Sequence, residues 1–73
     1  MRQKWVIDAA LEEAASRALV ESVESLHPLI VVTEVSPSGN RICFEVVNAL
    51  PDSIENQIRN MDGVRCLHYD QAL

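Results

Sequence analysis

Aromatic side chains are scarce in this chain: Trp5, Phe44 and Tyr69 are the only three in 73 residues. The core must therefore be assembled mainly from Val, Ile, Leu and Ala. The stacking rings that RNA-recognition sheets use reduce to Phe44, which the core itself needs. Glycine is rarer still, with Gly39 and Gly63 alone. Neither belongs to a glycine-rich loop opening a helix, so a phosphate cradle of that type is excluded. Two cysteines, Cys43 and Cys66, are too few for a disulfide framework. Both fall in strand-like patterns, where free cysteine behaves as a small hydrophobe. The sequence also lacks a signal-peptide h-region and any run of 18 apolar residues, so a cytoplasmic chain with no membrane partner is expected.

Positive charge is short as well. Six Lys and Arg stand against eleven Asp and Glu, for a net charge of −5. Between Asp8 and Glu55 nine acidic residues are offset only by Arg17 and Arg41. Nucleic-acid binding depends on a basic footprint that displaces counterions, so no nucleic-acid partner is expected. An acidic surface suits a basic partner protein, or serves solubility.

What is present is the composition of a folded domain: 48% hydrophobic and 23% charged residues. The length allows one domain, residues 1–73. A chain of this size buries only about 60% of the surface its unfolded form exposes. A small aliphatic core of that kind gains from a partner surface or from oligomerisation.

The hairpin is the clearest local signal. Leu29 to Val35 and Arg41 to Val47 are rich in β-branched residues, and Ser36-Pro-Ser-Gly-Asn40 between them carries the residues that reverse a chain. In the second strand Ile42, Phe44 and Val46 face one way, and Cys43, Glu45 and Val47 the other. In the first, Val31, Thr33 and Val35 alternate with Ile30, Val32 and Glu34. The glutamates mark an open, semi-apolar face. Before the hairpin, Ala9 to Leu26 repeats at a helical period, with Leu11, Ala15, Leu19, Val23 and Leu26 on the inner side and Ala18 and Ser22 beside them. Asp8 is the expected N-cap, and Glu13–Arg17 and Arg17–Glu21 are i,i+4 pairs. Pro28 ends this helix, and His27 at its C-terminal end is expected to cap it as a cation favoured by the dipole.

After the hairpin, Asp52 is the expected N-cap of a second helix, with Glu55 completing a capping-box-like pattern. Ile54, Ile58 and Met61 form its inner stripe, Glu55–Arg59 is another i,i+4 pair, and Gly63 supplies a left-handed C′ residue. Val64 to Tyr69 is a last strand, and Asp70 to Leu73 is expected to fray. Lys4 to Ile7 is either a first strand or the lead-in to the first helix. The order is (β)αββαβ, an α+β, ferredoxin-like two-layer sandwich with two helices on one face of a mostly antiparallel sheet.

Chemistry is harder to find. Cys66-x-His68 places a thiol and an imidazole on one face of the last strand, but with Cys43 as the only further thiol the set is short of a metal site. The serines at 16, 22, 25, 36, 38 and 53 all have structural explanations in a helix, turn or cap. The carboxylate pairs Glu12–Glu13 and Glu21–Glu24 sit on a solvated helix face. The metallochaperone loop and the Pro-Gly ligand turn found on related folds are both missing. The expectation is a non-enzyme with no catalytic, cofactor or metal residues, acting through a larger protein partner or as a homodimer.

One broader pattern points to a partner. Arg17-x-x-Val20-Glu21-x-x-Glu24-x-x-x-Pro28, then Val31-Val32, Pro37 and Arg41-Ile42, resembles the effector (regulatory, or coupling) proteins of bacterial multicomponent diiron monooxygenases, the phenol hydroxylase type above all. Ser53-Ile-Glu-Asn-Gln-Ile58 with Asp62 and Val64 echoes the family's later helix and the segment after it. The chain departs from that pattern at Leu26-His27, where the family has Asp-Asn, and in having no acidic C-terminal extension. The resemblance implies a cofactor-free protein that docks on the oxygenase component and tunes access to a diiron centre it does not ligate. Partner contacts are then expected from the hairpin: Glu34, Ser38, Gly39, Asn40, Arg41 and Glu45. A self-associating, ACT-type regulatory module is the alternative.

Overall fold

The computed structural model of the chain describes residues 1–10 and 12–73, without the side chain of Glu13. The two expectations that rest on Leu11 and on the Glu13–Arg17 pair lie outside the described residues. The element order is β1 (Arg2–Ala9), α1 (Glu13–Leu26), β2 (Ile30–Val35), β3 (Arg41–Val47), α2 (Asp52–Arg59) and β4 (Val64–Ala72). The four strands form one sheet in the order β2-β3-β1-β4, with every pair antiparallel. This is the ferredoxin-like α+β arrangement.

β1 is the central element, and it settles the question left open at Lys4 to Ile7. It pairs with β3 from Arg2 to Asp8 and with β4 from Gln3 to Ala9. Asp8 is therefore a ladder residue and does not cap α1. The N-cap position is Glu12, and it makes no side-chain capping bond. Pairing on both edges satisfies the backbone of Asp8 and Ala9 more completely than one capping bond would, so tertiary pairing overrides the local preference. The same pairing holds the C-terminus. β4 runs through to Ala72, and the Leu73 amide donates to the Arg2 carbonyl at 2.8 Å, so residues 70–72 continue the ladder where fraying was expected.

The core lies between the sheet and the two helices. Trp5, Ile7 and Ala9 of β1 meet Ile42, Phe44 and Val46 of β3, Ile30 of β2 and Leu67 of β4, under Leu19 and Val23 of α1 and Ile58 of α2. Trp5 closes one end. Its ring meets Tyr69 edge-on, with centroids 5.6 Å apart, and its indole N–H donates to Gln3 Oε1 at 3.1 Å.

The inner face of α1 differs from the expected one. Ala15, Ala18 and Ser22 are exposed, while Ser16 is buried at 2% exposure with Leu19 and Val23. The helix is rotated so that the Ser16 hydroxyl donates to the Gly39 carbonyl at 2.6 Å, tying α1 to the hairpin loop. Gly39 sits at φ 76° beneath it, a conformation costly for a residue with a Cβ. Replacing Ser16 by Ala leaves that carbonyl without its partner, and a loss of about 1–2 kcal/mol in urea unfolding is the expected result.

The remaining ends differ in detail. His27 is the C-cap of α1, in extended conformation, and its Nδ1 accepts the Leu29 amide proton at 3.2 Å. The N-cap of α2 is Pro51, one residue before Asp52, again without a side-chain bond. Fixed φ suits proline at a helix entrance, and Asp52 and Glu55 sit in the first turn where the dipole favours acids. Glu55 meets Arg59 as expected, at 3.0 Å. Gly63 is left-handed at φ 89°, but it lies within the turn that links Met61 to Val64, beyond the C-cap Asn60. None of the described helices is long and apolar enough to cross a membrane.

Candidate functional site

The sheet face away from the helices carries the candidate surfaces. Even-numbered β1 residues, Arg2, Lys4, Val6 and Asp8, project there with Arg41, Cys43, Glu45 and Val47 of β3. A bulge between Val32 and Glu34 resets β2, so that Glu34 falls opposite Cys43 and Val35 opposite Ile42. Strict alternation would have put Glu34 with Ile30 and Val32 against the core. The bulge moves its charge to the open side, which explains how a glutamate stands two residues from Val32 in a half-buried strand.

The open face is semi-apolar, with Val31 and Val47 exposed beside a set of ion pairs. Arg2 meets Glu45 at 3.4 Å, Lys4 meets Asp70 at 3.6 Å, and Arg41 meets Asp8 at 3.8 Å. Each such exposed pair contributes about 0–1 kcal/mol, so their main effect is on what the face repels and attracts. Between them the cross-strand partners Val6 and Cys43 are buried, shielded by longer neighbours on the same face. Cys43 is thus buried as expected of a small hydrophobe, whereas Cys66, expected to be buried in the same way, is exposed.

One run of exposed apolar side chains lies on the β2 side, and Tyr69 of β4 and the terminal Met1 and Leu73 are exposed elsewhere. Val31 is 56% exposed and Val47 37%, and with Leu29 and Thr33 they line a shallow concavity bordered by Arg2 and Glu45. β2 is also one of the two edge strands. Its only charged residue is Glu34, and the Val32 amide is reached by Glu24 Oε2 of α1 at 3.4 Å. A second groove lies on the helix side between α1 and the hairpin, lined by Val20, Val35 and Pro37 with Ser16 and Gly39 at its base.

The hairpin residues expected to contact a partner do not form one cluster. Ser38 and Asn40 are exposed at the loop, where the hydroxyls of Ser36 and Ser38 both donate to Asn40 Oδ1, at 3.0 and 2.8 Å. The Ser36 oxygen in turn accepts the Arg41 amide, so the loop is internally braced. Gly39 is buried and its carbonyl is taken by Ser16, which gives it a structural role. Glu34, Arg41 and Glu45 stand on the open face of the sheet, with Arg41 and Glu45 already in ion pairs.

A further cluster is assembled only by the fold. Cys66 is exposed, and its Sγ lies 3.8 Å from His68 Nδ1. The ladder places Asp8 opposite Cys66, and Asp8 Oδ2 lies 3.9 Å from the same His68 nitrogen. Asp8 has the local chemistry of a helix cap, and nothing in a single sequence links it to Cys66. Comparison with protein families, with curated proteins and with solved structures found no match to this chain.

Proposed function

We propose that the chain is a non-enzymatic, regulatory partner-binding protein, whose contact surface is the β2–β3 part of the open sheet face together with the adjoining hairpin loop. The observation that carries this reading is the exposed apolar strip of Leu29, Val31 and Val47, bordered by Arg2 and Glu45 toward an edge of the sheet. Apolar centres with charged rims are the usual anatomy of a docking patch. A rigid two-strand scaffold with a braced loop also needs little ordering on binding.

The specific form of this reading is an effector that docks on the oxygenase component of a phenol-hydroxylase-type diiron monooxygenase. It rests on the motif resemblance, whose residues fall on α1, β2, the Pro37 turn and β3; β2, the turn and β3 carry the proposed surface, and α1 lies on the other face of the sheet. Adding the chain to such an oxygenase with its reductase should raise turnover or the coupling of oxygen use to product. Val31→Lys should weaken that response at least tenfold while circular dichroism stays unchanged, because the side chain is already exposed. An unchanged rate with the wild-type chain overturns the effector form. An undiminished response to Val31→Lys moves the interface elsewhere.

A second reading is self-association, favoured by the position of β2 at an edge of the sheet. It requires concentration-dependent dimerisation in sedimentation velocity, abolished by Val31→Lys. The ion pairs of the open face count against a dry face-to-face dimer, and the Glu24 contact to the Val32 amide counts against pairing along the β2 edge.

A further inference from the structure

We propose that Asp8, Cys66 and His68 form a binding site for a divalent transition cation of borderline softness, with Zn2+ the best fit. The three come from adjacent strands of one ladder. Asp8 and Cys66 are direct cross-strand partners, and the two-residue period of β4 puts His68 on the same side as Cys66. The backbone therefore fixes their placement without any loop.

Their ligand atoms all lie within 4.8 Å of one another. A tetrahedral zinc ion, with bonds of about 2.0–2.3 Å, needs its ligand atoms about 3.3–3.6 Å apart. The separations of 3.8 Å (Sγ to Nδ1) and 3.9 Å (Oδ2 to Nδ1) thus call for small side-chain rotations. All three groups are at least partly exposed and have room to make them. Among the described residues this is the one group of three or more such side chains that converges in this way.

The direction of approach separates this arrangement from a nucleophilic triad. In a Cys-His-Asp relay the thiol meets one ring nitrogen and the carboxylate the other. Here sulfur and carboxylate both approach Nδ1. They converge on a point, and a cation at that point would be shared by all three. Arg41 supports the geometry from outside: its Nε lies 3.8 Å from Asp8 Oδ1, which leaves Oδ2 turned toward the cluster. Such outer contacts commonly orient a ligating carboxylate. Thiolate and imidazole select Zn2+ or Co2+ over Mg2+ and Ca2+, which prefer all-oxygen sites. Binding takes the thiolate form of Cys66, so its proton is released to solvent. Three protein ligands leave a fourth position for water or for a group from a docked partner.

The site sits on the β1–β4 side of the sheet, across from the Val31 strip, and does not depend on the docking function. The test uses the tag-free, reduced full chain titrated with Co2+ alone. One Co2+ per chain is expected, with a thiolate-to-cobalt charge-transfer band in the near ultraviolet and tetrahedral visible bands, both displaced by Zn2+. Cys66→Ser should abolish the charge-transfer band. Asp8→Asn and His68→Ala should each weaken binding at least tenfold, with folding checked by circular dichroism. Cys43→Ser and Val31→Lys should leave the titration unchanged. Weak binding without a thiolate band overturns the site, as does loss of the band in Cys43→Ser or wild-type affinity in Asp8→Asn.

Discussion

Phe44→Ala should leave the chain largely unfolded, or lower its melting temperature by about 12 °C or more. Phe44 is fully buried at the middle of β3, paired with Trp5 on one side and Val32 on the other. It is the largest of the completely buried side chains. Truncating a buried phenylalanine costs about 3–5 kcal/mol, the lost transfer energy plus the cavity it leaves. A 73-residue domain has about 4–11 kcal/mol to lose, and each kcal/mol moves the melting temperature of a domain this size by about 4–8 °C. The aliphatic neighbours Ile7, Ile42 and Val46 are held by the sheet and cannot collapse far into the gap. Urea unfolding followed by Trp5 fluorescence measures the effect directly, since Trp5 lies across the ladder. A loss below about 1.5 kcal/mol would mean that the core is not centred where the sheet register puts it. Phe44→Leu, which keeps much of the volume, should fall well short of the alanine loss.

Ile58→Ala should release α2. This helix has eight residues, too few to be stable alone, and Ile58 is its one fully buried side chain. Ile54, Met61 and Val64 join the same core only as partly buried side chains. The expected loss is about 2–5 kcal/mol. The distinguishing feature is where it is lost. Hydrogen exchange should show the amides of Glu55 to Met61 exchanging by local opening, while those of β1 and β3 still require global unfolding. Uniform acceleration across the chain would instead make α2 part of one cooperative unit with the sheet.

These two residues also mark what was legible in the sequence. The hairpin could be read because β-branched runs flank a loop with proline and glycine, and its strand ends at Val35 and Arg41 match the structure. Both helices and the last strand followed from periodicity, and with them the order of elements. The errors occurred where a local rule competed with pairing across the sheet. Asp8 has the chemistry of an N-cap, but β1 needs it as a ladder residue. Ser16 stands outside the apolar stripe read from the helical period, but a carbonyl in the hairpin loop draws it inside. The bulge at Thr33 and the extension of β4 to Ala72 are properties of strand pairs, which no single segment encodes.

The same limit governs the functional surfaces. Arg41 could be named because it follows a recognisable turn, and Glu45 because a glutamate marks the solvent face of its strand. That both are held in ion pairs, and that an exposed apolar strip lies beside them at Leu29, Val31 and Val47, depends on how the strands meet. Cys66-x-His68 was visible as a fragment, and only the β1–β4 register supplies Asp8.

The most direct test of the docking proposal is to map amide resonances of the labelled chain while a phenol-hydroxylase-type oxygenase component is added. The account predicts shifts or broadening concentrated at residues 29–34 and 36–47, with α1 and α2 unchanged on their outer faces. No perturbation at saturating oxygenase, or perturbation centred on the exposed faces of α1 and α2, would contradict it.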